Sequence, residues 1–316
     1  MKFSVLMSVY KEEKPEYFER CMKSIWNEQT LKPNEIILIE DGQLSKELDK
    51  KINEWKRKLG IILVIISLKK NVGTGKAKSI GIKIAKNEYI AIMDTDDISF
   101  PDRFRKQINF FKKNPKIDVV GGWISEFEDN ENNIISYRKV PKFHKEILKF
   151  AKKRNPINHP TAMYRKEAVL KAGNYNGIKY FEDYYLIINM LINGSRMENI
   201  QEPLVNMRSG FKQLKRRGGF EYIKNEIKFQ NKLQKMGFIN YFHYMQNIII
   251  RTFVRIMPSN IRGLIYKLIR RIEINSEKQI ELSENNGLVK TEKTSYKSTF
   301  YCFFGIWKGE NQERII

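Results

Sequence analysis

Through residues 1–114 short apolar runs alternate with longer stretches in which apolar side chains recur every three or four positions. The runs 3–10, 35–40, 61–67 and 89–93 read as strands, and 16–29, 44–59, 75–85 and 101–114 as helices. Strands alternating with helices of about ten or more residues predict βαβ units. The fold class is accordingly α/β, a mostly parallel sheet with helices on both faces. Beyond it, 119–126 and 134–140 pattern as a strand pair around the polar turn Asp129-Asn130-Glu131-Asn132. A short helix at 145–152, a strand at 161–164 and helices at 166–172 and 184–193 complete this part. From residue 211 the pattern turns helical and basic, which places a domain boundary near Gly210. Three regions result: 1–210, a basic helical 211–274, and 275–316, a polar linker ending in an aromatic tail.

One of these runs ends in unusual chemistry. The strand Tyr89-Ile90-Ala91-Ile92-Met93 is followed at once by Asp94-Thr95-Asp96-Asp97, which puts three carboxylates at the rim of a sheet, where ligands of open α/β folds collect. Acids this close repel one another unless a cation sits among them. Hard oxygen ligands suit Mg²⁺ or Mn²⁺ carrying a substrate diphosphate. A solvated acidic turn is the plain alternative. An EF-hand loop fits poorly, because its glycine position would be Ser99 and its final glutamate Arg105.

Composition narrows the setting. No apolar run reaches the roughly 20 residues that cross a bilayer, and the first strand begins without a signal-peptide core, so an intracellular protein is expected. Cys21 and Cys302 lie outside any metal or disulfide spacing. A net charge of +22 implies polyanionic company. The surplus is concentrated late: fourteen Lys or Arg stand against two acids between Lys212 and Arg271.

Other strand ends carry further candidates. The first ends in Ser8-Val9-Tyr10-Lys11-Glu12 and the second in Glu40-Asp41-Gly42. A tyrosine ring there can stack on a base, and an aspartate can accept the imide proton of uracil, although both types are common at strand ends. After the third strand comes Asn71-Val72-Gly73-Thr74-Gly75-Lys76, whose glycines let a backbone approach phosphate. It lacks the glycine spacing of a Walker A loop and the third glycine of a dinucleotide fingerprint.

Taken in order, these segments with Pro101-Asp102-Arg103 and Phe181-Glu182-Asp183-Tyr184 resemble family 2 glycosyltransferases over about residues 1–210. Arg154-Asn155-Pro156-Ile157-Asn158-His159-Pro160-Thr161 and Val205-Asn206-Met207-Arg208 are similar to bacterial enzymes of capsule and exopolysaccharide assembly, including the amylovoran type. The resemblance implies a GT-A fold, a nucleotide-sugar donor, a divalent metal (Mn²⁺ or Mg²⁺), inversion at the anomeric carbon, and a glycan or lipid-linked saccharide acceptor. By position it makes Tyr10 and Asp41 uridine contacts, with Glu12, Asn71, Gly73 and Lys76 near the donor. Asp94 approaches ribose or metal, Asp96 is the principal metal ligand, and Asp97 lies alongside. Arg208 meets the diphosphate, for which a guanidinium is suited. Many relatives carry a histidine metal ligand near this point, and none follows Arg208 here.

Asp183 takes the role of general base, with Glu182 able to share it. The competing reading of the pair is an acidic cap on the helix beginning at Tyr184. His159 suits either acceptor contact or a structural loop position. A nucleotidyltransferase is the nearest rival enzyme, but its Gly-rich basic loop is missing after the first strand. No nucleic-acid recognition module is visible, which sets that class of partner aside despite the charge.

In the basic region, Ile261, Leu264, Ile265, Leu268 and Ile269 share one helical stripe with cations off it, and 248–254 can extend the apolar surface. Such a helix fits an anionic membrane surface, so a peripheral position on the inner face of the cell membrane is expected. Packing against the catalytic domain is the alternative.

Overall fold

The computed structural model describes residues 1–209 and 219–256. The stripe at 261–269, the linker, the aromatic tail and Cys302 lie outside these residues.

The first half is four βαβ-type strands: β1 (Phe3–Val9), β2 (Glu35–Glu40), β3 (Leu63–Ser67) and β4 (Tyr89–Ile92). They pair in parallel in the order β3-β2-β1-β4, so all four release their chains at one edge. Their faces are buried by α1 (Pro15–Met22), α2 (Lys46–Leu59), α3 (Thr74–Ile84) and α4 (Arg103–Lys113). Side chains alternate between two cores. Leu6, Ile37, Ile39, Ile90 and Ile92 face one, while Val5, Met7, Ile36, Leu38 and Ala91 face the other.

Local chemistry sets the element ends. Ser45 Oγ accepts from Leu48 N at 3.2 Å, so α2 starts at Lys46. The helix expected over 16–29 changes character: Lys23–Asn27 is a π-helix. In it Ser24 Oγ donates to Cys21 O at 2.7 Å and accepts Ser99 N at 3.0 Å, which tethers β5 (Ile98–Ser99). The strand expected from residue 61 begins at Leu63, because Gly60–Ile62 closes a 3-10 turn.

The second half departs from parallel pairing. Here lie β6 (Val119–Phe127), β7 (Ser136–Arg138), β8 (Met163–Arg165) and β9 (Met197–Arg208). Strand β8 is antiparallel to both β4 and β6, β9 runs parallel to β6, and β5 and β7 join antiparallel. The nine-stranded sheet is therefore parallel in its nucleotide half and mixed beyond it. Helices α5 (His144–Phe150), α6 (Lys166–Lys171) and α7 (Glu182–Ile192) cover this half.

No break in the core falls near residue 210. Helix α8 (Phe220–Lys235) puts Tyr222, Phe229 and Leu233 into the same cluster as Phe181, Tyr184 and Ile188. Phe229 stacks on Phe181 at 4.9 Å between ring centres, and Tyr222 meets Phe181 edge-on at 5.3 Å. Helix α9 (Tyr241–Ile256) packs on α8. Residues 220–235 and 241–256 are helical, and the apolar side of α8 shares one cluster with α7. Among the described residues no helix is long and apolar enough to cross a membrane.

Candidate active site

The four parallel strand ends and the start of α3 converge. Asp41, just past β2, is buried, and its two carboxylate oxygens accept Val72 N at 2.7 Å and Gly73 N at 3.0 Å. Asn71 Nδ2 donates back to Asp41 O at 3.1 Å. The acid expected at a base thus shapes the glycine loop first, and base contact is left to its remaining lone pairs. Gly73 sits at φ +90° ahead of α3, a conformation that L side chains rarely adopt.

Two lysines of α3 stand in different surroundings. Lys76 is exposed, whereas Lys78, two residues on and on the opposite face of α3, is buried. Its Nζ donates to Asp94 Oδ1 at 2.7 Å. Burial alone would raise the Asp94 carboxyl, but Lys78, and behind it Arg103, holds it below its ordinary value. The signal for Lys78 was available: an i to i+4 inward face runs through Ala77, Lys78, Gly81 and Ile82, all buried.

The three acids after β4 differ in their surroundings. Asp97 is buried and accepts Arg208 N at 3.0 Å, so it fastens the end of β9. Burial, then Asp96 and Asp94, push its carboxyl well above the ordinary range. Among the described residues no three His, Cys, Asp or Glu side chains gather closely enough to cage a metal. Asp94 and Asp96 remain half-exposed at the rim.

Beneath the acids lies a buried cation. Arg103 is closed to water, donates through Nη2 to Ile92 O at 2.7 Å, and is pulled down to about 9 by burial. On the other flank, Arg208, the last residue of β9, lies 3.9 Å from the Tyr17 ring centre and 4.5 Å from that of Phe127. Glu12 is exposed; the neighbouring Glu13 turns inward instead, accepts from Thr95 Oγ1, and has its carboxyl raised by burial. Sequence spacing had not separated these two adjacent glutamates.

The second acid pair lies against the start of α3. A Cβ on Gly75 would meet Glu182 Cγ at 2.8 Å, so the glycine loop and the start of α7 are in direct contact. Burial raises the Glu182 carboxyl. Asp183 Oδ2 accepts Asn155 Nδ2 at 3.0 Å. His159 lies within electrostatic reach of Lys78, Asp183 and Asp94, and its Nε2 pairs with Tyr175 OH at 2.9 Å. Burial and then Lys78 pull the imidazole down to about 4, so it is neutral.

A sheet that is parallel through its nucleotide half and mixed beyond it, with acids at the parallel strand ends, has the architecture of the GT-A fold. The chain belongs to glycosyl transferase family 2, whose model matches residues 4–173, and the protein is a glycosyltransferase. It is 37% identical over 270 residues to UDP-Gal:alpha-D-GlcNAc-diphosphoundecaprenol beta-1,3-galactosyltransferase of Escherichia coli, covering 85% of this chain and 97% of the relative. It is 35% identical over 272 residues to the amylovoran biosynthesis glycosyltransferase AmsE of Erwinia amylovora, covering 85% and 99%. Two solved structures share the fold. One is S. aureus TarS 1–349 in complex with UDP-GlcNAc, with TM-score 0.55, 19% identity and coverage of 81% and 72%. The other is the mannosyltransferase PcManGT of Pyrobaculum calidifontis with GDP-Man and Mn²⁺, with TM-score 0.56, 11% identity and coverage of 96% and 84%. Family membership sets the nucleotidyltransferase reading aside.

Proposed function

We propose that this glycosyltransferase moves a sugar, with inversion, from a UDP-sugar to a hydroxyl of a lipid-linked saccharide during assembly of a bacterial surface polysaccharide. The observation that carries the reading is that Lys78 pairs with Asp94 at 2.7 Å while His159 lies within electrostatic reach of both Asp94 and Asp183. The lipid-linked acceptor and the UDP donor are argued from the E. coli relative's name, and polysaccharide synthesis from that of AmsE.

Each residue has a task in this reading. Tyr10 and Asp41 border the nucleotide, on the loop of Asn71 and Gly73 that Asp41 holds. Lys78 and Arg208 bring positive charge to the diphosphate side. Asp183 removes the acceptor hydroxyl proton as the new bond forms, and Glu182 flanks it. The hard carboxylate oxygens of Asp94 and Asp96, with Asp97 alongside, would hold Mn²⁺ or Mg²⁺. When bound, the cation supplies charge neutralisation for the departing diphosphate.

A membrane surface belongs to the same reading. Phe242, Met245, Ile249 and Phe253 recur at helical spacing on α9, and all are exposed. With a net charge of +22 they suit the inner, anionic face of a cell membrane, and nucleic acid has no part in the reaction. Sugar release from a panel of UDP-, GDP- and dTDP-sugars with Mn²⁺ or Mg²⁺, with undecaprenyl-diphosphate-linked acceptor, tests the assignment. UDP-sugar turnover is expected, and Asp183→Asn should lower it about 10²–10⁴-fold at unchanged donor affinity. Preference for another nucleotide, or an active Asp183→Asn, overturns it.

A further inference from the structure

The turn that precedes Asn155 is held from outside the nucleotide domain. Three successive carbonyls in it are each gripped by a side chain. Tyr184 OH on α7 donates to Ala151 O at 2.6 Å, Asn247 Nδ2 on α9 donates to Lys152 O at 2.9 Å, and Arg251 on α9 donates to Lys153 O. A buried polar group anchors the last two. Arg251 Nη1 donates to Glu226 Oε1 at 2.6 Å, Gln230 Nε2 donates to the same oxygen at 3.0 Å, and Asn247 also donates to Gln230 Oε1 at 3.0 Å. Glu226, Gln230 and Asn247 are closed to water, where hydrogen bonds of this kind are strongly directional and expensive to break.

Just past this turn, Asn155 reaches the carboxylate assigned as base. Asn155 Oδ1 accepts Ile157 N at 3.2 Å, which fixes the amide so that its Nδ2 faces Asp183 Oδ2. Helix α8 supports the same point from the other side, since Phe229 and Tyr222 pack on Phe181, immediately before Glu182 and Asp183.

We infer that Asn155 is a positioning residue for Asp183, and that Asn247 and Arg251 of α9 set its place through the carbonyls of residues 152 and 153. This rests on Asp183 being the base. The two C-terminal helices thereby become part of the machinery that aims the proton acceptor, since a misplacement of about 1 Å can lower turnover on the order of 100-fold.

The test uses the full chain with donor and acceptor, reading kcat, donor dissociation constant and melting temperature. Asn155→Ala is expected to lower kcat about 10- to 100-fold, and Asn247→Ala about 3- to 10-fold, with donor affinity unchanged. Because both act on one carboxylate, the double variant should be no slower than Asn155→Ala alone. Arg251→Lys, which keeps a cation for Glu226, should show the same non-additivity if Asn247→Ala fails to fold. Losses that multiply, or a folded Asn247→Ala with wild-type kcat, overturn the proposal. An active Asp183→Asn would remove the base reading and this inference with it. An inactive Asp183→Asn beside an unaffected Asn247→Ala would remove this inference alone.

Discussion

Lys78 Nζ lies 2.7 Å from a carboxylate oxygen of Asp94, joining the helix after the glycine loop to the acids at the end of β4. Lys78 is almost closed to water and Asp94 half-open, so the pair falls between a surface bridge and a fully buried one. Lys78→Met should therefore destabilise the protein by about 1–3 kcal/mol in urea titration. Under the proposed function Lys78 brings charge to the donor diphosphate, so donor affinity should fall as well. An unchanged donor dissociation constant would take Lys78 out of the donor site.

Asp96 and Asp97 should separate by experiment. Asp96→Ala is expected to abolish the increase in donor affinity that Mn²⁺ gives, measured by calorimetry with and without the ion. Asp97, which holds Arg208 N, should instead act on folding: Asp97→Ala lowers the melting temperature even without metal, as loss of a buried hydrogen-bond partner implies. The reverse pattern would exchange their roles.

His159 gives a pH signature. Its folded-state value of about 4 lies below the ordinary 6.5, so the folded protein binds fewer protons than the unfolded chain in this window. Its contribution is complete above the unfolded value and is lost as pH falls towards 4. Between about pH 7 and 5 this one group should lower unfolding free energy by about 2 kcal/mol. His159→Gln should flatten that slope in denaturant titrations at several pH values. An unaltered slope would mean that the ring is not buried neutral.

Gly75 has no room for a methyl group, since a Cβ there would meet Glu182 Cγ at 2.8 Å. Gly75→Ala should push the start of α7 away from the loop and lower kcat about 10-fold or more. The protein should stay folded, because the obstructing atoms belong to a side chain. Wild-type kinetics would show that the contact is slack.

Membrane attachment can be tested without touching the fold. Phe242, Ile249 and Phe253 are exposed, so replacing all three with serine should leave the melting temperature within a few degrees. Co-sedimentation with phosphatidylglycerol vesicles should fall several-fold. Unchanged sedimentation would place the contact elsewhere in the chain.

Much of this was readable from residue order. Short apolar runs and period-three-to-four patterns located the first four strands and their helices, because each strand is buried on both faces and each helix on one. The resemblance to family 2 glycosyltransferases, not local pattern, is what joined Asp94 and Asp183 in one expected site; His159 lies within electrostatic reach of both. Side-chain direction was not legible. Glu12 and Glu13, or Lys76 and Lys78, differ in which way a side chain turns, and that is decided by tertiary contacts such as Thr95 and Asp94. Strand direction beyond β4 depends on long-range pairing, so β8 and β9 could not be oriented from local pattern. Net charge pointed to a separate basic appendage, yet the apolar side of α8 belongs to the core.

The ring stack of Phe229 on Phe181 bears on how this protein can be handled. Its catalytic half has no clean cut site after the last strand. A fragment ending at residue 210 would leave Phe181 and Tyr184 facing solvent at the very helix that carries Asp183, and would tend to aggregate in solution. Minimal versions for expression or crystallisation should keep the chain through residue 256.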